Sequence, residues 1–294
     1  MIIVTGALGF IGSNIVKELN KQGRTDLILV DESKKADNIA GCEYKALIQM
    51  REFYANFNDW KNIECVFHNG AISSTTETNK AKIDGYNIKP SIKLLHDCLE
   101  HNILFSYASS AGVYGTDLYF KEDAEPNPKS LYAESKAILD KKVEEILKVK
   151  PDAKIQGWRY FNVYGEGEQF KGDQASPVHK FTKQAKEKKK IYIFEGSENY
   201  KRDFVCVNDV VKTVIQASKE PFNGVFNLGT GNAISFKEVA EIIASRYNAG
   251  IEEIAFPKNL EGQYQIFTKA DMRKLNDVMT LSDFESVEQY VSQS

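Results

Sequence analysis

The sequence predicts an α/β fold, a doubly wound parallel sheet with helices on both faces, joined by a smaller α/β lobe. Three observations carry that prediction. Apolar runs of strand length alternate with stretches of helical periodicity through the first half of the chain, the rhythm of a parallel sheet with crossover helices. A glycine-rich turn, Gly6-Ala7-Leu8-Gly9-Phe10-Ile11-Gly12, stands between the first strand and the first helix, and Asp31 closes the second strand. Finally, 294 residues suffice for one large or two medium domains with a substantial core.

Taken in order, Ile2–Thr5 reads as a buried strand and Phe10–Leu19 as an amphipathic helix ending near Gly23. Leu27–Asp31 is the second strand. A third is placed near Tyr44–Ile48, and Cys65–His68 and Phe105–Ser109 follow as clear apolar runs. Ile88–Leu99 and Ala137–Leu147 have helical periodicity, and Gln156–Tyr160 is again strand-like. The rhythm then becomes irregular, with a loop-rich stretch at Gly165–Pro177. Phe204–Val207 reads as a return to the sheet and Phe226–Leu228 as a further strand. Helices are expected at Phe236–Tyr247 and near Lys269–Leu275. Residues 1–165, with return segments near 204–232, are therefore expected to form the sheet domain, and residues 166–294 mainly the smaller lobe.

Composition narrows the function. Apolar content of 42% with 27% charge is that of a globular protein in water, and a net charge of −3 argues against a nucleic-acid binder. No apolar run approaches the ~20 residues that span a bilayer, and Met1-Ile2-Ile3-Val4-Thr5 lacks the charged region of a signal peptide. Cys42, Cys65, Cys98 and Cys206 have no paired spacing, and only four histidines are present, so neither a metal site nor a disulfide framework is expected. The expectation is a metal-free cytoplasmic protein with no nucleic-acid or membrane partner.

The glycine turn has a specific use. Glycine lets the backbone turn sharply and approach a pyrophosphate, while the helix behind it offers unpaired N–H groups and positive potential. With Asp31 in place, Gly6, Gly9 and Gly12 predict a Rossmann-type site for a nicotinamide dinucleotide. The next motif is Tyr132-Ala133-Glu134-Ser135-Lys136. Residues four apart share a helix face, so Lys136 can lie beside Tyr132 and lower its pKa toward that of a general base. The same pair could equally be a surface tyrosine and a solvated lysine. In Tyr107-Ala108-Ser109-Ser110-Ala111-Gly112-Val113-Tyr114-Gly115, at the end of a strand, Ser110 can hydrogen-bond a substrate hydroxyl or simply form a turn.

Together Ser110, Tyr132 and Lys136 resemble the catalytic set of the extended short-chain dehydrogenases/reductases, the NAD-dependent epimerase/dehydratase family, and the resemblance covers essentially the whole chain. It implies that Asn69, Gly70, Ala71, Ile72 and Ser73 line the cofactor, together with Phe10, Ile11, Asp31, Glu32, Arg51, Asn87, Lys136, Val163 and Lys171. Three further segments resemble the ADP-L-glycero-D-manno-heptose 6-epimerases within that family: His68-Asn69-Gly70-Ala71-Ile72-Ser73-Ser74-Thr75-Thr76-Glu77, Phe194-Glu195-Gly196-Ser197-Glu198-Asn199-Tyr200-Lys201-Arg202-Asp203-Phe204-Val205 and Gly262-Gln263-Tyr264-Gln265. That resemblance implies an ADP-linked heptose inverted at C6 by transient oxidation, NADP as cofactor, and a homo-oligomer. It also implies a second base, Lys171 in Phe170-Lys171-Gly172, whose bland alternative is a solvated loop lysine. The sugar nucleotide would be held by Ser73, Ser110, Asn162, Asp173, Lys180, Phe194, Glu195, Gly196, Ser197, Arg202 and Tyr264, unless Arg202 is instead paired with Asp203 or another acid.

The sequence departs from the pattern at Asp173, where serine is usual, at Lys180, where a histidine is usual, and at Gly112, where many sugar epimerases have threonine. Asp31 suits an unphosphorylated ribose, whereas Lys34 or Lys35 could pair with a 2′-phosphate, so NAD stays open beside NADP. The rivals are another nucleotide-sugar epimerase, a dehydratase, and a non-catalytic dinucleotide sensor.

Overall fold

The computed structural model describes residues 1–32, 36–57, 61–257 and 265–293. Its central feature is a seven-stranded sheet in the order β3-β2-β1-β4-β5-β6-β11. The strands are β1 (Ile2–Thr5), β2 (Leu27–Val30), β3 (Ala46–Ile48), β4 (Cys65–His68), β5 (Leu104–Ser110), β6 (Ile155–Tyr160) and β11 (Gly224–Leu228). The chain winds outward from β1 through β2 to β3, then crosses back to β4 and winds the other way. Parallel crossovers are right-handed, so the reversal between β1 and β4 puts the connecting helices on opposite faces. This is the doubly wound α/β fold that the sequence predicts.

Register decides where chemistry can collect. Thr5 lies opposite both Val30 and His68 in parallel pairs, and His68 lies opposite Tyr107. The carboxyl ends of β1, β2 and β4 are therefore level, and Gly6, Asp31 and Asn69 leave the sheet side by side. β5 runs three residues past Tyr107, to Ser110.

Strands β1, β2 and β4 are short and buried along their whole length, because both faces of the sheet are covered. Helix α1 (Phe10–Lys21) buries Ile15, Val16 and Leu19. Helix α2 (Met50–Ala55) and the single turn α3 (Lys80–Ile83) precede a π-helical turn at Asp84–Ile88, which runs into α4 (Lys89–Glu100). Helix α5 (Leu131–Val149) is longer than its periodic core predicts, because the Ser130 hydroxyl caps the amide of Ala133 and starts the helix before Tyr132. Ile3, Val66, Phe105, Leu94, Leu139 and Val143 meet in the core of this part.

The chain divides into two compact units. The first comprises residues 1–113, 128–159 and 211–226, and the second residues 114–127, 160–210 and 227–294. The second unit is built from three small ladders: β7 (Asn162–Tyr164) with β10 (Phe204–Cys206), β8 (Lys190–Phe194) with β13 (Gly250–Ile254), and β9 (Lys201–Arg202) with β12 (Ile234–Ser235). Its core joins Tyr164, Ile191, Ile193, Phe204, Val239 and Ile243. Helix α6 (Pro177–Lys188) starts on the Ser176 cap with proline in its first turn, and α8 (Phe236–Tyr247) on a Ser235/Glu238 capping box. Helix α7 (Val207–Ala217) and the short α9 (Arg273–Asn276) and α10 (Val287–Gln293) complete the chain.

Two expectations are corrected. Phe204–Cys206 does not return to the main sheet but pairs in parallel with β7, because an apolar triplet specifies a strand and not its partner. The helix expected near Lys269–Leu275 shrinks to α9, since Thr268 and Ala270 are spent on contacts to Asp203.

Candidate active site

In the first unit the candidate residues converge on the carboxyl ends of β1, β4 and β5. Gly6 has φ +64°, and a side chain there would drive into the backbone of Asn69 and Gly70, 2.7–2.8 Å away. Gly12 lies directly over the same loop: a Cβ would sit 2.1 Å from the Gly6 carbonyl oxygen. Gly9 differs, with an ordinary backbone conformation, solvent exposure and only one tight neighbour, the Gly6 oxygen at 3.2 Å. The first turn of α1, containing Phe10, Ile11 and Gly12, carries neither an acid nor a side-chain cap, so its amides and positive potential are kept for an outside anion.

The flanking groups fit a dinucleotide. Asp31 accepts the Leu8 amide (2.9 Å), and Glu32 accepts the Met50 amide at the start of α2 (3.1 Å), beside the exposed Arg51. Asn69 Oδ1 is buried with no hydrogen-bond partner among the described residues, an orphaned acceptor next to the glycine loop. Lys34 and Lys35, the candidates for a 2′-phosphate, lie outside the described residues.

A buried polar chain that the sequence reading missed ties these loops together. The Gly70 amide donates to Thr5 Oγ1 (3.1 Å), which lies 2.7 Å from His68 Nδ1; His68 Nε2 lies 2.7 Å from Ser91 Oγ, and Ser91 donates to the Asn87 carbonyl. A carbonyl can only accept, so Ser91 donates to Asn87 and must receive the Nε2 proton. Burial holds the pKa of His68 down at about 3, so the ring is neutral and its Nδ1 accepts from Thr5. Asn87, in the π-helical turn, clamps Ile72 through its amide (2.8 Å) and carbonyl (3.0 Å) and donates to Ser135 Oγ (3.2 Å). Ser135 in turn donates to the Tyr132 carbonyl (2.6 Å). Gly70, Ile72 and Tyr132 are thus held by one network, with Ala71 half-buried within it and Ser73 exposed beyond it.

Tyr132 occupies the first turn of α5, hydrogen-bonded to Ser110. The Lys136 ammonium lies 5.8 Å from the centre of its ring. Burial lowers the pKa of Lys136 to about 8, opposed by Asp140. The expected depression of Tyr132 is not seen: burial raises its pKa, and the Ser110 hydrogen bond only partly offsets this. Ser110 Oγ accepts the Gly112 amide (3.0 Å), and a Cβ at 112 would lie 3.2 Å from that oxygen. Glycine at this position therefore leaves room around the Ser110 hydroxyl.

The second unit carries the other candidates. Lys171 sits between two short turns organised by Glu168, a wholly buried carboxylate that accepts the amides of Gly165 (2.9 Å) and Ser176 (2.6 Å) and the Ser176 hydroxyl (2.8 Å). The Lys171 amine is 3.9 Å from Glu168, and its pKa is lowered, chiefly by burial and further by Lys180, against the pull of Glu168. Lys180 donates to the Asp173 carbonyl (2.7 Å), so two of the three departures from the pattern bond to each other, while Asp173 stays exposed.

Arg202 is buried over the Phe236 ring, with its guanidinium on the carbonyls of Lys201 and Gln265. It is not paired with Asp203, whose carboxylate collects the amides of Thr230, Gly231 and Ala270 and the Thr230 hydroxyl. Phe194, Glu195, Gly196 and Ser197 form a turn closed by the Ser197 amide and hydroxyl on the Phe194 carbonyl. Asn162 accepts from Thr268 (3.3 Å), and Val163 follows it in β7. Tyr264, with Gly262 and Gln263, lies outside the described residues.

Asp140 and Glu168 also escaped the sequence reading, although their spacing was a usable signal: Asp140 falls four residues after Lys136, and Glu168 three before Lys171.

Comparison with known structures shows the same overall fold in nucleotide-sugar epimerases. The chain is similar to the ADP-L-glycero-D-manno-heptose-6-epimerase of Helicobacter pylori, with 25% identity, 99% of this chain and 93% of that one covered, and a TM-score of 0.86. It is similar to the UDP-glucose 4-epimerase of Thermotoga maritima at 27% identity, with 99% and 96% covered and a TM-score of 0.86. A UDP-N-acetylglucosamine 4-epimerase from Methanobrevibacter ruminantium matches at 25% identity, with 99% and 96% covered and a TM-score of 0.85. The family model described as NAD dependent epimerase/dehydratase matches residues 2–229, and the chain belongs to that family.

Proposed function

We propose that this protein epimerises a nucleotide-linked sugar by transient oxidation, and that its substrate is ADP-D-glycero-D-manno-heptose, inverted at C6. The heptose-type segments and the similarity to the Helicobacter pylori enzyme support the substrate. The observation that carries the chemistry is the opposite displacement of two candidate bases: burial raises the pKa of Tyr132 and lowers that of Lys171.

When bound, a nicotinamide cofactor supplies the hydride acceptor and donor. Gly6, Gly9 and the first turn of α1 would hold its pyrophosphate, and the buried Asn69 Oδ1 would accept from an N–H or O–H group of the cofactor. Asp31 and Glu32 place two carboxylates at the end of β2, which oppose a 2′-phosphate. We therefore favour NAD over the NADP implied by the heptose resemblance.

Inversion needs a proton taken from the C6 hydroxyl on one side and returned to the oxygen in another position. Two groups whose pKa values burial displaces in opposite directions divide that work. Lys171 Nζ, shifted toward its neutral form, removes the hydroxyl proton. Tyr132 Oη, which holds its proton, supplies one to the reoriented carbonyl oxygen while Ser110 Oγ hydrogen-bonds that oxygen. The Lys136 ammonium and the N-terminal end of α5 then stabilise the Tyr132 phenolate. In the reverse direction the roles exchange, and no net oxidation occurs.

The test is incubation with ADP-D-glycero-D-manno-heptose and, separately, UDP-glucose, with products read by proton NMR. Conversion of the heptose to its C6 epimer supports the reading. Conversion of UDP-glucose alone would transfer the same residues to a 4-epimerase.

A further inference from the structure

Asp140 is wholly buried on α5, one turn beyond Lys136, and everything around it is arranged to keep it there. Its Oδ1 accepts the Tyr107 hydroxyl (2.8 Å), and its Oδ2 accepts Ser109 Oγ (2.9 Å) and Arg159 Nε (2.8 Å). Arg159 is equally buried, and its Nη2 reaches Glu144, a turn further along α5, at 3.8 Å. A side chain at Gly157 would meet the Tyr107 ring at 2.5 Å, so β6 gives up a Cβ in mid-strand to let that ring reach Asp140.

Stability alone does not account for this investment. A buried ion pair contributes little net stability, and apolar residues of similar volume often do as well. Location does account for it. Ser109 directly precedes Ser110, and Lys136 is the i−4 neighbour of Asp140 on the same helix face. One carboxylate therefore fixes the strand end that presents Ser110 and faces the lysine that serves Tyr132.

We propose that Asp140 is a positioning residue for the Tyr132–Lys136 pair, anchoring the end of β5 against α5 and facing the Lys136 amine with a fixed negative charge that Arg159 moderates. The inference rests on the acid–base role proposed above for Tyr132. The titratable and charged groups that bear on Lys136 are Tyr132 and Asp140 on its own helix and His68 on β4, while Asp140 is in turn met by Tyr107 on β5 and Arg159 on β6, and Arg159 by Glu144. His68 is held neutral, and burial with Asp140 holds the Tyr107 phenol protonated. The field that varies by substitution is thus that of Asp140 and Arg159.

The sign follows. Asp140→Asn removes the attraction and leaves the Arg159 charge, so the Lys136 ammonium loses its proton more easily. Arg159→Met leaves Asp140 facing Lys136 alone, so the proton is held more tightly. The full-length protein is labelled with [15N]lysine, and the Lys136 signal is identified by its loss in Lys136→Met. Its titration midpoint should fall by about one pH unit or more in Asp140→Asn and rise in Arg159→Met. The double variant Asp140→Asn/Arg159→Met should fall between the two, and it replaces them if either single variant fails to fold, its midpoint then lying below that of the unmodified protein. Equal midpoints in all variants would overturn the proposal and leave the ion pair a structural brace. Turnover of Tyr132→Phe separates the two readings. An inactive Tyr132→Phe with an unmoved Lys136 midpoint sinks only the role of Asp140, whereas a fully active one sinks the acid–base reading itself.

Discussion

Gly9 and Gly12 belong to one motif, yet their surroundings predict opposite failures. A Cβ at Gly12 would sit 2.1 Å from the Gly6 carbonyl oxygen, about 0.9 Å inside the 3.0 Å that real Cβ contacts keep, and the obstacle is backbone at the pivot of the loop. Helix α1 must lift by about that amount, which at the overpacking cost of buried sites destabilises by roughly 3 kcal/mol. For a chain of this size that lowers Tm by about 5 °C. A Cβ at Gly9 meets one carbonyl at 3.2 Å, has an ordinary φ of −75° and faces solvent, so Gly9→Val should leave folding within ~1 kcal/mol. What Gly9→Val removes is the close approach of a pyrophosphate. Differential scanning fluorimetry and a fluorescence titration with NADH measure the two effects. The expected result is a lowered Tm for Gly12→Ala, and for Gly9→Val an unchanged Tm with at least a tenfold loss of NADH affinity. If Gly9→Val binds NADH normally, the loop is not the pyrophosphate cradle. If Gly12→Ala melts like the unmodified protein, the contact between α1 and the loop has been misread.

Other expectations are equally open to measurement. Tyr132→Phe should keep fold and cofactor but lose on the order of 10²-fold in turnover, and near-normal turnover would make Tyr132 a packing residue. Lys171→Met should stop epimerisation of ADP-heptose while calorimetry still detects ADP-heptose binding; unchanged epimerisation would refute the two-base scheme. Competition between NAD and NADP should favour NAD, and Asp31→Asn should narrow that preference by about tenfold; a preference that Asp31→Asn leaves unaltered would put the discrimination elsewhere. Because His68 is neutral down to about pH 3 when folded but titrates near 6.5 when unfolded, its stabilising contribution is complete above pH 6.5 and is lost as the pH falls toward 3. Unfolding free energies from urea titrations between pH 7 and 4 should therefore fall more steeply for the unmodified protein than for His68→Gln, by up to ~1.4 kcal/mol per pH unit, and parallel slopes would contradict the neutral buried imidazole.

Much of the first unit was legible because its signals are local. A strand, a glycine turn and a helix in succession leave few alternatives, and β4 and α8 match their periodic segments residue for residue. Partners were not legible. Phe204–Cys206 reads as a strand in any context, and only the folded chain shows it beside β7. Helices α6 and α7 lie where the rhythm seemed lost, although Ser176-Pro177 is a helix-start signal. Buried charge was the largest gap. Asp140, Arg159 and Glu168 look like surface residues in a sequence that is 27% charged, and their importance appears only when each is found enclosed by donors or acceptors. The direction of the Tyr132 shift was misjudged for the same reason, since spacing reveals the neighbouring lysine but not the desolvation that outweighs it.

The turn after Ser110 bears on which reaction of the family the site can perform. Epimerisation by transient oxidation moves one hydride and one proton and leaves every hydroxyl in place. Elimination must also protonate a departing hydroxyl, and so needs an acid placed near the serine. The residues following Ser110 are Ala111, Gly112 and Val113, none of them ionisable. Position 112 is also sterically committed: a Cβ would press against Ser110 Oγ at 3.2 Å and the Ala133 methyl at 3.3 Å, and a carboxylate would have to displace the hydroxyl it was meant to assist. The acid–base groups that this unit does offer, Tyr132 and Lys136, reach the site from α5 and are suited to a proton shuttled at one oxygen. Within a family that contains both chemistries, this turn therefore favours the epimerase.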